Sequence, residues 1–104
     1  RPLSEMVAVQ EIKGELPEQF ELSQNYPNPF NPTTNIKFSI AKSGNVNITV
    51  YDLTGRKVEE LVNGSYNAGT YEVNWDAVKY SSGLYFYTLV TNEFSETKKM
   101  LIIK

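Results

Sequence analysis

From Phe20 onward, apolar residues recur at every second position. Ile36, Phe38 and Ile40 alternate with Lys37 and Ser39. Val46, Ile48 and Val50 alternate with Asn47 and Thr49, and Tyr71, Val73 and Trp75 with Glu72, Asn74 and Asp76. Side chains spaced by two lie on one face of an extended strand, whereas a helix face needs spacings of three and four. The chain is therefore restricted to strands with one face in a core and the other in water, as in antiparallel sheets. Gly83–Thr91 is apolar on both faces, with Leu84, Phe86 and Val90 on one and Tyr85, Tyr87 and Leu89 on the other. Residues 100–103 are continuously apolar. For these two segments, either both faces are covered or one is left for a partner.

Turn residues punctuate the strands at short intervals: Ser43-Gly44-Asn45, Thr54-Gly55-Arg56, Asn67-Ala68-Gly69, Ser81-Ser82-Gly83 and Thr91-Asn92-Glu93-Phe94. Such spacing predicts an all-β fold, an Ig-like antiparallel β-sandwich of about seven strands. Val58 to Val62 is expected to be a short edge strand, because five residues are too few for a stable helix. Trp75 is expected to anchor the core. Residues 1–17 are expected to form a linker or the end of a preceding domain, and 18–104 the sandwich itself. A second reading pairs Met6–Ile12 into the sandwich's own sheet. The first residue is Arg1, as expected for a piece of a longer or processed chain.

Composition narrows the chemistry. The chain has 104 residues and contains no cysteine and no histidine. Disulfides, thiolate chemistry and every His-dependent catalytic pair are excluded. A net charge of -2 argues against nucleic acid as a partner. No apolar run approaches the roughly 20 residues that span a bilayer as a helix. Asp52 and Asp76 sit at strand ends, where aspartate commonly caps turns, so a catalytic carboxylate pair is not expected. Glu59 and Glu60 are expected to be solvated. Four asparagines lie between residues 25 and 35 without a carboxylate among them, so no calcium and no other cofactor is expected. The seven tyrosines raise carbohydrate binding, with Tyr51, Tyr85 and Tyr87 as stacking candidates. The alternative function is thus a carbohydrate-binding or structural Ig-like accessory module.

One stretch departs from the alternation: Asn25-Tyr26-Pro27-Asn28-Pro29-Phe30-Asn31-Pro32. Its prolines forbid a helix, cannot donate to a sheet ladder, and bias the preceding residues to extended geometry. A stiff loop is expected, with Tyr26 and Phe30 as pegs into the sandwich.

This stretch, with Thr34, Ile36 and Phe38 after it, resembles the opening of the type A C-terminal sorting domain of the type IX secretion system of Bacteroidetes and relatives. Val50-Tyr51-Asp52-Leu53-Thr54-Gly55-Arg56 is similar to that family's central turn. Gly69-Thr70-Tyr71 through Trp75-Asp76, and Ser82-Gly83-Leu84-Tyr85-Phe86-Tyr87, are similar to its later strands. Lys98-Lys99-Met100-Leu101-Ile102-Ile103-Lys104 resembles its basic-then-apolar terminus. The resemblance runs from about residue 16 to 104. One departure is Ala77, where many relatives carry glycine.

The resemblance implies a secretion signal and no enzyme. It implies recognition of the folded domain by the outer-membrane translocon and its shuttle protein, and removal by a sortase-like peptidase. An N-terminal passenger would travel through the periplasm and outer membrane to the cell surface or beyond. Candidate recognition residues are Gly55, Arg56, Lys98, Lys99, Met100, Leu101, Ile102, Ile103 and Lys104. Pro27, Asn28, Pro29, Phe30, Asn31, Pro32, Trp75 and Gly83 form the structural motif. The last strand, if its edge is free, could add to a partner's sheet.

Overall fold

The period-two segments become strands in a computed structural model of the chain, which describes residues 8–12, 14 and 16–104. The strands are β1 (Ala8–Ile12), β2 (Glu21–Leu22), β3 (Thr33–Ile40), β4 (Gly44–Tyr51), β5 (Lys57–Tyr66), β6 (Gly69–Asp76), β7 (Gly83–Thr91) and β8 (Ser95–Ile102). No helix occurs among the described residues. Two four-stranded antiparallel sheets form, in the orders β1-β6-β3-β2 and β5-β4-β7-β8. Strands β2 to β8 reproduce the Ig-like succession, with β1 in the place beside β6 that a later strand fills in constant-type Ig domains. Tyr85 adds a hallmark of that architecture: near the start of β7 its hydroxyl donates to the Ser81 carbonyl at 2.9 Å.

The alternation sorts side chains as the sequence dictates. Ile36, Phe38 and Ile40 from β3, Val73 and Trp75 from β6, and Ile48 and Val50 from β4 are fully buried between the sheets. Each such aliphatic or aromatic side chain contributes roughly 1.5–3 kcal/mol through burial. Phe38, Tyr66 and Tyr71 pack together, with ring centroids 5.1 to 6.4 Å apart. Trp75 gathers Phe30, Tyr80 and Tyr85 at 5.6 to 6.5 Å.

The N-terminal segment follows the second of its two readings. Ala8–Ile12 pairs with β6 from Ala8↔Asn74 to Ile12↔Thr70, so these five residues form a strand of that sheet. The reason is that β6 would otherwise present an open edge, and Val9 can lean on the core. Met6 and Val7 lie outside the described residues. Val58 to Val62 lies in the first part of β5, which is longer than expected. Irregularities in its pairing with β4 place Leu61 and Val62 both in the core, which hides the alternation.

Candidate functional site

Strand register brings the distinctive segments to one pole of the sandwich. β3 begins where β6 ends, through Thr33↔Asp76. β4 ends beside the start of β5, through Tyr51↔Lys57. β7 begins beside the end of β8, through Gly83↔Ile102. The proline loop, the Asp52–Arg56 turn, residues 77–82 and the last two residues therefore meet at this end. Direct bonds join them: the Ala77 amide donates to Pro32 O at 2.8 Å, and the Lys104 amide to Ser82 Oγ at 3.0 Å. Leu53 and Thr54 share a shallow depression with Ser82, Gly83 and Leu84.

The proline loop is fastened at its middle. Phe30 is buried against Trp75, with centroids 5.9 Å apart. Tyr26 does not act as a second peg: it is 79% exposed, because its backbone bridges Asn35 and its ring is left outward. All three X–Pro bonds of the loop are cis. Pro27, Asn28, Pro29 and Asn31 are exposed, and Pro32 is half-buried. The buried Asn25 amide donates to Thr34 Oγ1 at 2.9 Å, and Thr34 Oγ1 donates to Pro27 O at 2.9 Å. Asn35 Oδ1 accepts from Asn74 at 2.7 Å. These asparagines thus hold the loop and its flanking strands.

The loop also covers the edge of β8. The Phe30 amide donates to Leu101 O, and the Ile103 amide to Phe30 O, both at 3.0 Å. The Leu101 amide donates to Asn28 Oδ1 at 3.0 Å, and Gln24 Nε2 to Lys99 O at 2.6 Å. The expected free edge is therefore closed at Leu101 and Ile103. A partner strand would meet the Leu101 amide and carbonyl and the Ile103 amide already paired.

The other end of the expected recognition stretch divides by side. Met100 and Ile102 are core residues, 1% exposed each. Leu101 and Ile103 point outward, 37% and 48% exposed. Lys99 is exposed. Lys98 lies on the inward side of β8, where Glu96 pairs with it at 3.3 Å. Lys104 Nζ donates to Val78 O at 2.7 Å.

Gly55 and Arg56 sit in a tightly bonded turn. Asp52 Oδ1 accepts from the amides of Thr54 and Arg56 and from Thr54 Oγ1, at 2.6 to 3.0 Å. These bonds, led by the Thr54 hydroxyl, hold its carboxyl below the usual range. Gly55 has φ +86, a left-handed conformation that costs any residue with a Cβ. Gly83, at φ +151, marks the other turn of the pole. Asp76 likewise accepts from the Val78 amide at 3.0 Å. Both strand-end aspartates thus cap their own turns.

Trp75 is fully buried, and Ala77 fits its small buried site. Glu59, expected in solvent, accepts from Trp75 Nε1 at 3.1 Å and from Tyr80 OH at 2.9 Å. Burial, then this carboxylate, pushes the Tyr80 phenol up to about 12. Of the three sugar-stacking candidates, Tyr85 and Tyr87 are core residues at 8% and 0% exposure, closed to a ligand, while Tyr51 is half-buried. The sequence did not show Gln24 as a clamp on β8, nor that Asn28, already a motif residue, shares that part. Their neighbours are set by register and loop path, which no local pattern displays.

The fold and its pole define an Ig-like β-sandwich module whose distinctive surface segments converge at one end. Residues 24–104 match the model of the family described as "Secretion system C-terminal sorting domain". The match covers most of the chain, and the chain belongs to this family. The family is that of type IX secretion sorting signals, which is not an enzyme class, and it implies export to the cell surface or the extracellular space. A search of the curated proteins found no significant match. No helix among the described residues is long and apolar enough to cross a membrane.

Proposed function

We propose that the folded sandwich is itself the export signal, recognised at the outer membrane by the type IX translocon and its shuttle protein. It directs an N-terminal passenger outward through the periplasm, and a sortase-like peptidase then removes it by cutting before Phe20. Residues 18–104 form the signal unit in this reading, with β1 lending its edge to β6. The observation that carries it is the meeting of the proline loop, the Gly55-Arg56 turn, Gly83 and the chain's last residues at one pole. Those segments are far apart in sequence and share a surface only once folded. A linear tag needs no such convergence. The test is an export assay on residues 1–104, placed behind a signal peptide and a fluorescent passenger. The fusion is expressed in a type IX-competent bacterium and in a translocon-null strain. Passenger outside the first and held in the periplasm of the second is the expected result. Periplasmic retention in both, with the fusion folded, overturns the reading.

A further inference from the structure

The outward faces of the two sheets differ. On β3 and β6 the outward residues Asn35, Lys37 and Ser39 lie beside Asn74, Glu72 and Thr70, all polar, with Ile12 of β1 next to Thr70 at the edge. On the other sheet the register lines up a different row. Lys57 on β5 faces Tyr51 on β4, Tyr51 faces Phe86 on β7, and Phe86 faces Lys99 on β8. Two aromatic residues thus stand on adjacent strands between two lysines. Toward the pole, Leu84 pairs with the exposed Leu101, and Ile103 follows. Toward the middle, the face becomes polar again at Thr49, Thr88 and Thr97.

Lys42 and Lys98 each have a carboxylate within 4 Å, whereas among the described residues neither Lys57 nor Lys99 does. An apolar strip capped by unpaired cations complements an apolar strip capped by anions. Burying the rings excludes water, and that strengthens charge pairs at the rim. Spacing adds a constraint. Lys57 and Lys99 stand three strand separations apart, or about 14 Å.

We propose that this Lys57–Tyr51–Phe86–Lys99 row, with Leu84 and Leu101 beside it, is the surface on which a protein component of the export machinery docks. That component presents apolar side chains between two carboxylates about 14 Å apart. The contact is face-on, because the proline loop already occupies the β8 edge at Leu101 and Ile103, beside the apolar part of the row. The proposal rests on the sorting-signal reading above.

The experiment uses the same 1–104 fusion in the competent strain. The variant carries Lys57→Glu with Lys99→Glu. Its control carries Lys37→Glu with Lys42→Glu, which shifts net charge equally but lies off the row. Both pairs are exposed or half-exposed, so melting temperatures should stay within the range of ordinary surface changes. Export of the row variant should fall about tenfold, equivalent to 1.4 kcal/mol of lost binding, with the control unchanged. Phe86→Ser, if folded, should fall similarly. Should the parent not be exported, the sorting reading and this proposal both fall. Should the parent and the row variant be exported equally, only this proposal falls. A row variant that keeps export but loses self-association in sedimentation, or loses binding to an anionic polysaccharide, reassigns the face and also overturns it.

Discussion

Tyr87 shows how a residue can look like a binding group and act as a structural one. Its ring is fully buried, and its hydroxyl joins β7 to the segment leading from β2. It donates to Ser23 O at 2.7 Å and accepts from the Asn25 amide at 2.8 Å. Tyr87→Phe would leave the buried Asn25 amide without a partner and remove the bond to the half-buried Ser23 carbonyl. A loss of about 1–3 kcal/mol in denaturant unfolding is expected. Burial pushes this phenol up to about 12, above its unfolded value of 10.0. The folded state therefore favours the neutral phenol. The associated stability is complete below pH 10 and is lost as pH rises from there through about 12. Unfolding measured across that window should fall off less steeply in Tyr87→Phe than in the parent. A decline should remain, because Tyr80 is also raised to about 12. Alternation in the sequence placed Tyr85 and Tyr87 on one face of their strand. It could not say which face was inward, since Leu84 and Phe86 make the opposite face apolar as well.

At the scale of elements, β8 illustrates the difference between a strand and its edge. Its apolar terminus was plain in the sequence, and the alternate burial of Met100 and Ile102 follows from strand geometry. Its cover was not, because Asn28 and Phe30 lie some seventy residues earlier in the chain. The prolines explain why that cover is a loop: without amide hydrogens they cannot extend the ladder, and the bonds come from Phe30 and the Asn28 side chain. Hydrogen exchange read residue by residue checks the arrangement. The Leu101 and Ile103 amides should be protected, while the outward-facing amides of Thr97 and Lys99 exchange quickly. Asn28→Ala should speed exchange at Leu101 and leave β7 unchanged.

On the scale of the whole molecule, β1 is the element whose role depends most on what surrounds it. It closes the β6 edge of its sheet, and Val9 rests against the core. Deleting residues 1–15 should keep the sandwich folded, since the core is built from β2 to β8, but should lower its melting temperature. It should also promote concentration-dependent association through the exposed β6 edge. Calorimetry and sedimentation of the truncated and parent chains measure both effects.

The sequence by itself determined the all-β class, the strand positions, the buried set around Ile36, Phe38 and Trp75, and the family. These depend on local periodicity, turn chemistry and ordered motifs, which are properties of neighbouring residues. Only the tertiary structure decided that Ala8–Ile12 joins the sheet, that Tyr26 stays outside, that the proline loop seals the β8 edge, and that Lys57, Tyr51, Phe86 and Lys99 form one row. Each of these is set by pairing between segments distant in sequence. A one-residue change of register would move a strand's side chains to the opposite face. Shared burial of both sheets fixes that register, and burial belongs to the assembled molecule.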